Sequence, residues 1–306
     1  MEFYGPQPVV LRSRTSAVMT NAISVDVEDY FHPSELKKCV SLESWESLPS
    51  RVERSTAETL DLFARHNVSG TFFILGWVAH RFPALVRRIA AAKHEIACHS
   101  YFHRLVYELN PDEFRADTRQ AQAAISDACG IMPRMYRAPS YSITLRCWWA
   151  LDILAECGFT HDSSIFPILH DRYGVPGFSR YPKLLETASG SILEVPVATV
   201  KLSRRRISPV GGGAYLRLLP YRYTAAGIRH INQQEGRPAC MYFHPWELDP
   251  EQPRIAKGLV SQLRTYVGLR SMRSKIERLL RDFRFATLGE VYPLNQETTV
   301  QPAQIL

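Results

Sequence analysis

The chain has 306 residues, 45% of them hydrophobic and 22% charged, with a formal net charge of +7 and a pI near 9.1. That length permits one large α/β domain or two smaller ones, and the composition excludes a disordered or fibrous chain. No apolar run is long enough to span a bilayer, the first twenty residues lack the apolar segment of a secretory signal, and no nucleic-acid-binding motif accompanies the basic residues, so a cytoplasmic protein without a nucleic-acid partner is expected.

Residues 1–20 are polar, basic and proline-containing and read as a flexible extension. Residues 22–27 (AISVDV) alternate as a strand does and run into the acidic cluster Asp26, Glu28 and Asp29. In an extended chain Asp26 and Glu28 point to one face, and Asp29 to the other unless the strand has already ended. Residues 55–66 form an amphipathic helix with Leu60, Phe63 and Ala64 inward and Ser55 as a candidate N-cap. Residues 70–75 read as a strand buried on both faces, 83–92 as a helix opened by Pro83, and 95–98 as the next strand.

Directly after it stand His99 and His103, four residues apart, the spacing at which one helical turn brings two imidazoles to the same side. A helix over 111–130, bounded by Pro111 and Gly130, is followed by a short strand at 135–138, a helix at 145–157 and a strand at 193–200. This βαβ order predicts a parallel sheet with a site at the C-terminal ends of its strands. From Lys201 the texture changes. Gly211, Gly212 and Gly213 precede an aromatic, arginine-rich stretch, an accessory region of about 201–235.

Residues 240–243 form a further strand with His244 at its end, and 259–283 are helical, their many Arg and Lys reading as a solvated face. The expected organisation is therefore an extension over 1–20, a barrel over 21–250 that includes the accessory segment, and a C-terminal helical extension over 251–306. The six cysteines have no paired spacing and read as buried thiols.

Taken together, the motifs resemble the polysaccharide deacetylase family, carbohydrate esterase family 4. The run from Gly70 to His103 resembles its strand-helix-strand core and HSxxH element. Arg137-Ala138-Pro139-Ser140-Tyr141 resembles its RxPY element, the Asp26 cluster its acidic pair, and Tyr242-Phe243-His244 its histidine after an apolar residue. SVDVEDYF at residues 24–31 and Phe243-His244-Pro245-Trp246-Glu247 are similar to the branch associated with bacterial exopolysaccharide loci. The resemblance implies a distorted (β/α)7-type barrel, here with a C-terminal accessory region packed on it.

It also implies a divalent metal, zinc by default with nickel or cobalt fitting the same ligands, held by His99, His103 and one acid of the cluster. Val27 separates the acids, which are adjacent in the commoner pattern. Same-face geometry favours Glu28 as the third ligand, with Asp29 the competitor if the chain turns there. By resemblance Asp26 is the general base, Arg137 its bidentate partner, and His244 the acid for the leaving amine, with Asp162 orienting it. A backbone N–H near Tyr141 helps hold the oxyanion, and Tyr141, Pro139 and Trp246 touch substrate. His32, His94, His161 and His170 carry no catalytic role.

The implied activity is removal of N-acetyl groups from amino sugars of an exopolysaccharide or its precursor, by hydrolysis of a linear amide C–N bond. The competing readings are hydrolysis of a cyclic ureide on the same scaffold and a catalytically inactive carbohydrate-binding protein. An N-acetylated glycan is thus the expected partner, and a homo-oligomer is compatible with the sequence.

Overall fold

A computed structural model describes residues 19–203, 206–294 and 301–302. The extension expected over 1–20 lies outside these residues except for Met19 and Thr20, as do Arg204 and Arg205 of the basic run and all but two of residues 295–306.

Strand β1 (Thr20–Val27) leads through a loop to helix α1 (Val52–Arg65), then β2 (Thr71–Ile74), the paired helices α2 (Gly76–Arg81) and α3 (Pro83–Ala91), and β3 (Glu95–Cys98). Helix α4 (Pro111–Cys129), β4 (Met135–Tyr136), α5 (Trp149–Glu156) and β5 (His161–Asp162) continue the alternation. An antiparallel hairpin of β6 (Lys183–Thr187) and β7 (Gly190–Glu194) follows, then the β8 (Thr199–Ser203) and β9 (Arg206–Pro209) hairpin, α6 (Gly213–Leu218) and α7 (Tyr221–Gln233). The chain returns through β10 (Cys240–Phe243), α8 (Leu259–Tyr266), α9 (Leu269–Asp282), β11 (Arg284–Ala286) and α10 (Leu288–Val291).

Strands β10, β1, β2, β3, β4, β5 and β7 pair side by side and in parallel. The circle closes through the irregular chain after β7, where the Ala198 N–H donates to the Cys240 carbonyl at 2.9 Å. The expected (β/α)7-type barrel is therefore present, and its distortion sits at this seam.

Strand parity sorts the side chains. Ala22, Phe73, Ala97, Met135, Leu193 and Cys240 fill the barrel interior, and Leu288 and Tyr292 pack into the same cluster. Ile23, Val25, Val27, Phe72, Ile74, Ile96, Cys98, Tyr136, Met241 and Phe243 join the larger cluster shared with the helices. Ser24, Asp26 and Glu28 therefore fall on the inner parity of β1, and all are buried.

Several boundaries differ from expectation for local reasons. Helix α1 starts at Val52, and Ser55 is no cap, because its hydroxyl bonds back to the Arg51 carbonyl at 3.0 Å. The strand expected over 193–200 divides into β7 and β8, since Pro196 has no N–H to offer a ladder. Residues 145–157 begin as a 3-10 turn, Leu145–Cys147, before α5. The helical stretch 259–283 breaks at Gly268, whose φ of +82° and contact with the Arg217 carbonyl exclude a side chain. All six cysteines are free. Among the described residues no helix is long and apolar enough to cross a membrane.

Helix α4 carries the clearest local code. Asn110 Oδ1 accepts from the Glu113 N–H at 2.9 Å, the Glu113 carboxylate accepts from the Asn110 N–H at 2.9 Å, and Gly130 ends the helix at φ +75°. Asn110→Ala is expected to lower stability by about 1 kcal/mol, measured by urea denaturation.

Candidate metal centre and its flanking acids

The C-terminal ends of β1, β3, β4 and β10 deliver Asp26, Glu28, His99, His103, Arg137 and His244 to one buried point. Glu28 Oε1 lies 3.0 Å from His99 Nε2 and 3.0 Å from His103 Nε2, and the three groups form a cluster able to hold a metal ion. The helical turn expected between the histidines is absent. They sit in a loop in which Ser100 and His103 have φ of +62° and +54°, pinned by the Ser100 hydroxyl accepting the His103 N–H at 3.1 Å.

The tautomer of His99 decides the chemistry. Its Nδ1 lies 2.8 Å from the Arg137 carbonyl, an atom that only accepts, so Nδ1 carries a hydrogen and Nε2 is the nitrogen presented to Glu28. Burial pushes the Glu28 carboxyl up, but the charges of His103 and His244 and the hydrogen bonds of both ligating histidines outweigh it and hold the group well below the usual carboxylate range. Two acceptor atoms at 3.0 Å repel unless a proton or a cation lies between them. Two imidazoles and one carboxylate are donor types that suit a divalent metal site.

Asp29 is not a ligand. Its carboxylate accepts from the N–H groups of Tyr30 at 2.9 Å, Arg51 at 2.9 Å and Val52 at 3.2 Å, and from the Ser50 hydroxyl. It ties the loop after β1 to the start of α1. Of the two acids, it is Glu28, favoured by same-face geometry, that lies beside the histidines, while Asp29 serves the helix start.

Asp26 flanks the cluster without joining it. Arg137 Nη1 donates to Asp26 Oδ1 at 2.6 Å and to the Ser24 hydroxyl at 2.9 Å, while its Nε and Nη2 bond the Ser163 carbonyl and hydroxyl at 3.2 and 2.9 Å. The expected bidentate contact is thus a one-nitrogen contact, because the rest of the guanidinium is committed to Ser163. Phe73 lies under the guanidinium with its centroid 4.0 Å away. Asp26 Oδ2 is left facing His244, at 3.9 Å from Nε2, and Glu28 Oε1 is 3.8 Å from the same nitrogen.

The residue that orients His244 is Glu247, which the sequence reading did not assign. Its Oε2 is 3.1 Å from His244 Nδ1 and accepts the His244 backbone N–H at 3.0 Å. The signal was present, since a proline at the first helical position and a Glu two residues later make a capping box on His244. Behind it the fully buried Arg217 donates Nε to Glu247 Oε1 at 3.0 Å, and its Nη atoms bond the Arg264 and Val267 carbonyls. A side chain at Gly213 would run into the Glu247 carboxylate, which explains a glycine there. Burial alone would push His244 down, but the Glu28, Glu247 and Asp26 carboxylates bring it up to about 9.

Asp162 does not reach His244. On β5 its neighbours His161 and Ser163 take the inward positions, bonding the Tyr292 carbonyl and Arg137, so Asp162 faces the other side. There it pairs in register with Glu194 and accepts from the Ser164 hydroxyl. Burial raises both acids, Asp162 to about 6 and Glu194 further, as expected of two carboxyls sharing one proton.

The expected substrate contacts also shift. The Tyr141 N–H is taken by the Ala138 carbonyl at 3.1 Å, although Ser140 and Tyr141 hold φ of +52° and +54°. The Tyr141 ring is buried against Phe166, Tyr173 and Tyr242, and Pro139 is buried beside it. Trp246 is only 6% exposed and stacks on His244 at 5.2 Å, so it backs the imidazole rather than offering a sugar a face. A cavity of about 290 Å³ opens beside the cluster, lined by His103, His32, Lys37, Trp45, Phe102 and Arg104 among others.

Comparison with known proteins places these features. Residues 34–161 match the polysaccharide deacetylase family, and residues 163–293 match a family described as a domain of unknown function, DUF3473. A peptidoglycan-N-acetylglucosamine deacetylase of Bacillus cereus is 37% identical over 84 residues, 28% of this chain and 30% of the relative. A chitooligosaccharide deacetylase of Bradyrhizobium is 37% identical over 101 residues, 33% of this chain and 43% of the relative. The chain thus matches less than half the length of either relative. A crystal structure of a Mycobacterium smegmatis protein designated a polysaccharide deacetylase superposes with a TM-score of 0.64 at 21% identity, covering 93% of this chain and 92% of that one, which shows a shared fold.

Glu28→Gln or His103→Ala is expected to lose a bound divalent ion, whereas Asp29→Ala retains it and is less stable by about 2–4 kcal/mol, because three buried N–H groups lose their acceptor. Metal analysis of the purified variants beside thermal denaturation separates the two acids.

Proposed function

We propose that this chain, a member of the polysaccharide deacetylase family, is a metal-dependent hydrolase that removes N-acetyl groups from amino sugars of an exopolysaccharide or its precursor. The observation that carries the reading is the buried Glu28, His99 and His103 cluster flanked by Asp26 on one side and His244 on the other.

Glu28, His99 and His103 would hold a divalent ion, zinc by default, which when bound polarises the acetyl carbonyl and acidifies the attacking water. Asp26 takes the proton of that water through Oδ2, the oxygen that Arg137 leaves free. His244 gives its Nε2 proton to the departing amine. Glu247 accepts from Nδ1 and so turns the charged Nε2 toward Asp26 and the reacting bond. The names of the Bacillus and Bradyrhizobium relatives, a peptidoglycan-N-acetylglucosamine deacetylase and a chitooligosaccharide deacetylase, support an N-acetylated glycan as the substrate class.

Metal analysis coupled to acetate release from a panel of acetylated glycans tests the proposal. About one divalent ion per chain is expected, and Asp26→Asn should lower acetate release by at least about 10²-fold while the ion stays bound. Full activity in the asparagine variant would remove Asp26 from the role of base. Glu247→Gln withdraws a carboxylate that raises the His244 pKa, so the alkaline limb of the kcat profile should move to lower pH. An unmoved limb would show that His244 is not the group titrating there.

A further inference from the structure

Helix α8 is built inside out. Its Thr265 and Tyr266 are buried, and the Tyr266 hydroxyl accepts the Ile255 and Ala256 N–H groups at 2.7 and 2.9 Å. The opposite face turns Leu259, Val260 and Leu263 to solvent at 73%, 62% and 48% exposure, and Val267 follows at 43%. Positions 260, 263 and 267 fall on one stripe of a helix, and an apolar stripe normally faces a core.

The patch continues onto neighbouring segments. Arg217 anchors the end of α6 to the Arg264 and Val267 carbonyls, which brings the exposed Leu218 beside the stripe. Arg264 also pairs with Asp171 at 3.5 Å, which draws up the loop carrying the exposed Leu169.

The segment that carries this stripe is basic, with Asp171 beside Arg264 and Glu58 beside Arg273 as paired acids. Residues 252–276 contain Arg254, Lys257, Arg264, Arg270, Arg273 and Lys275 and no acid. An apolar stripe of modest length in a segment with an excess of Lys and Arg, on a helix too short to span, has the composition of an element that lies in the headgroup layer of an anionic bilayer. We infer that the α8 face, Leu259, Val260, Leu263 and Val267 with its basic rim, docks this protein on an anionic lipid surface.

Docking there bears on the site. Ser261 of α8 donates to the Glu35 carbonyl at 3.3 Å, in the loop that also carries Ser34 and Lys37 into the cavity beside His103. Through Arg217 and Glu247 the same helix is tied to His244. If the deacetylase reading holds, the glycan is met at a membrane surface, as a lipid-carried precursor would be. The docking face itself is argued independently of that reading.

The test is flotation of the whole protein with vesicles of phosphatidylglycerol and phosphatidylethanolamine, against vesicles of phosphatidylcholine alone. Wild type is expected to float with the anionic vesicles and to be released by high salt. The Val260→Asp, Leu263→Asp double variant should bind at least about tenfold more weakly, while acetate release from a soluble acetylated oligosaccharide is unchanged, since neither side chain touches the His244 network. Wild type that fails to float, or that floats equally well with the double variant, overturns the inference. So does a wild-type dimer in solution that the double variant converts to monomer, because the face then belongs to a second copy. Absence of acetate release from every glycan would remove the enzymatic reading and leave the vesicle result intact.

Discussion

Glu28 Oε1 stands 3.0 Å from two imidazole nitrogens, and much of the barrel's upper rim serves to keep it there. A carboxylate almost fully removed from water needs compensation, and here the imidazoles around it supply that. Its neighbours are fixed so that it cannot relax. The Arg137 carbonyl dictates which nitrogen of His99 looks inward, and the Ser100 hydroxyl holds the left-handed His103 backbone. Asp29 ties the following loop to α1 so that β1 delivers Glu28 at its end. A proton or a cation held between the carboxylate and the imidazoles offsets that burial, and the donor set suits a cation.

The same rim contains a second buried pair, Asp26 with Arg137, whose logic is opposite. Here the charges compensate each other, and the unused guanidinium nitrogens are spent on Ser163 and Ser24. Removing Arg137 would leave Asp26 uncompensated and cost about 3–5 kcal/mol by itself, so loss of activity in such a variant does not distinguish structure from chemistry. The free Asp26 oxygen, in contrast, is paired with nothing closer than the His244 imidazole at 3.9 Å. Asp26, His244 and the Glu28 cluster therefore share a small volume in which Asp26, His244 and His99 each have a second polar atom tied from behind.

What could be read in the sequence follows from how local the cause was. Period-2 alternation in residues 22–27 gave the face shared by Asp26 and Glu28, and Pro111, Asn110, Glu113 and Gly130 gave the bounds of α4. The βαβ order gave a parallel sheet and the end of it where a site would lie. The failures have equally definite causes. Asp162 was placed beside His244 by resemblance, although its parity between His161 and Ser163 points it outward. Trp246 was given to substrate because exposure depends on distant packing, here that of Arg217 over its ring at 5.8 Å. Glu247 went unassigned because a capping box reads as helix punctuation until the cap is a histidine whose own ring nitrogen needs an acceptor.

Those corrections share a location, and it bears on how the chain is divided. The polysaccharide deacetylase match begins at residue 34, beyond Asp26 and Glu28, and ends at 161, before His244. The second match, over 163–293, supplies His244, Glu247, the buried Arg217 that holds Glu247, and the glycine at 213 that lets the two chains approach. Its β10 lies against β1 and closes the barrel, so the two regions are halves of one barrel rather than a catalytic unit with an appendage. A carboxylate from the Glu247 position, fixed by an arginine that reaches into α8, replaces what Asp162 was expected to provide. The region matched as a domain of unknown function thus carries its own carboxylate against His244, and couples it through Arg217 to a helix whose free face is apolar.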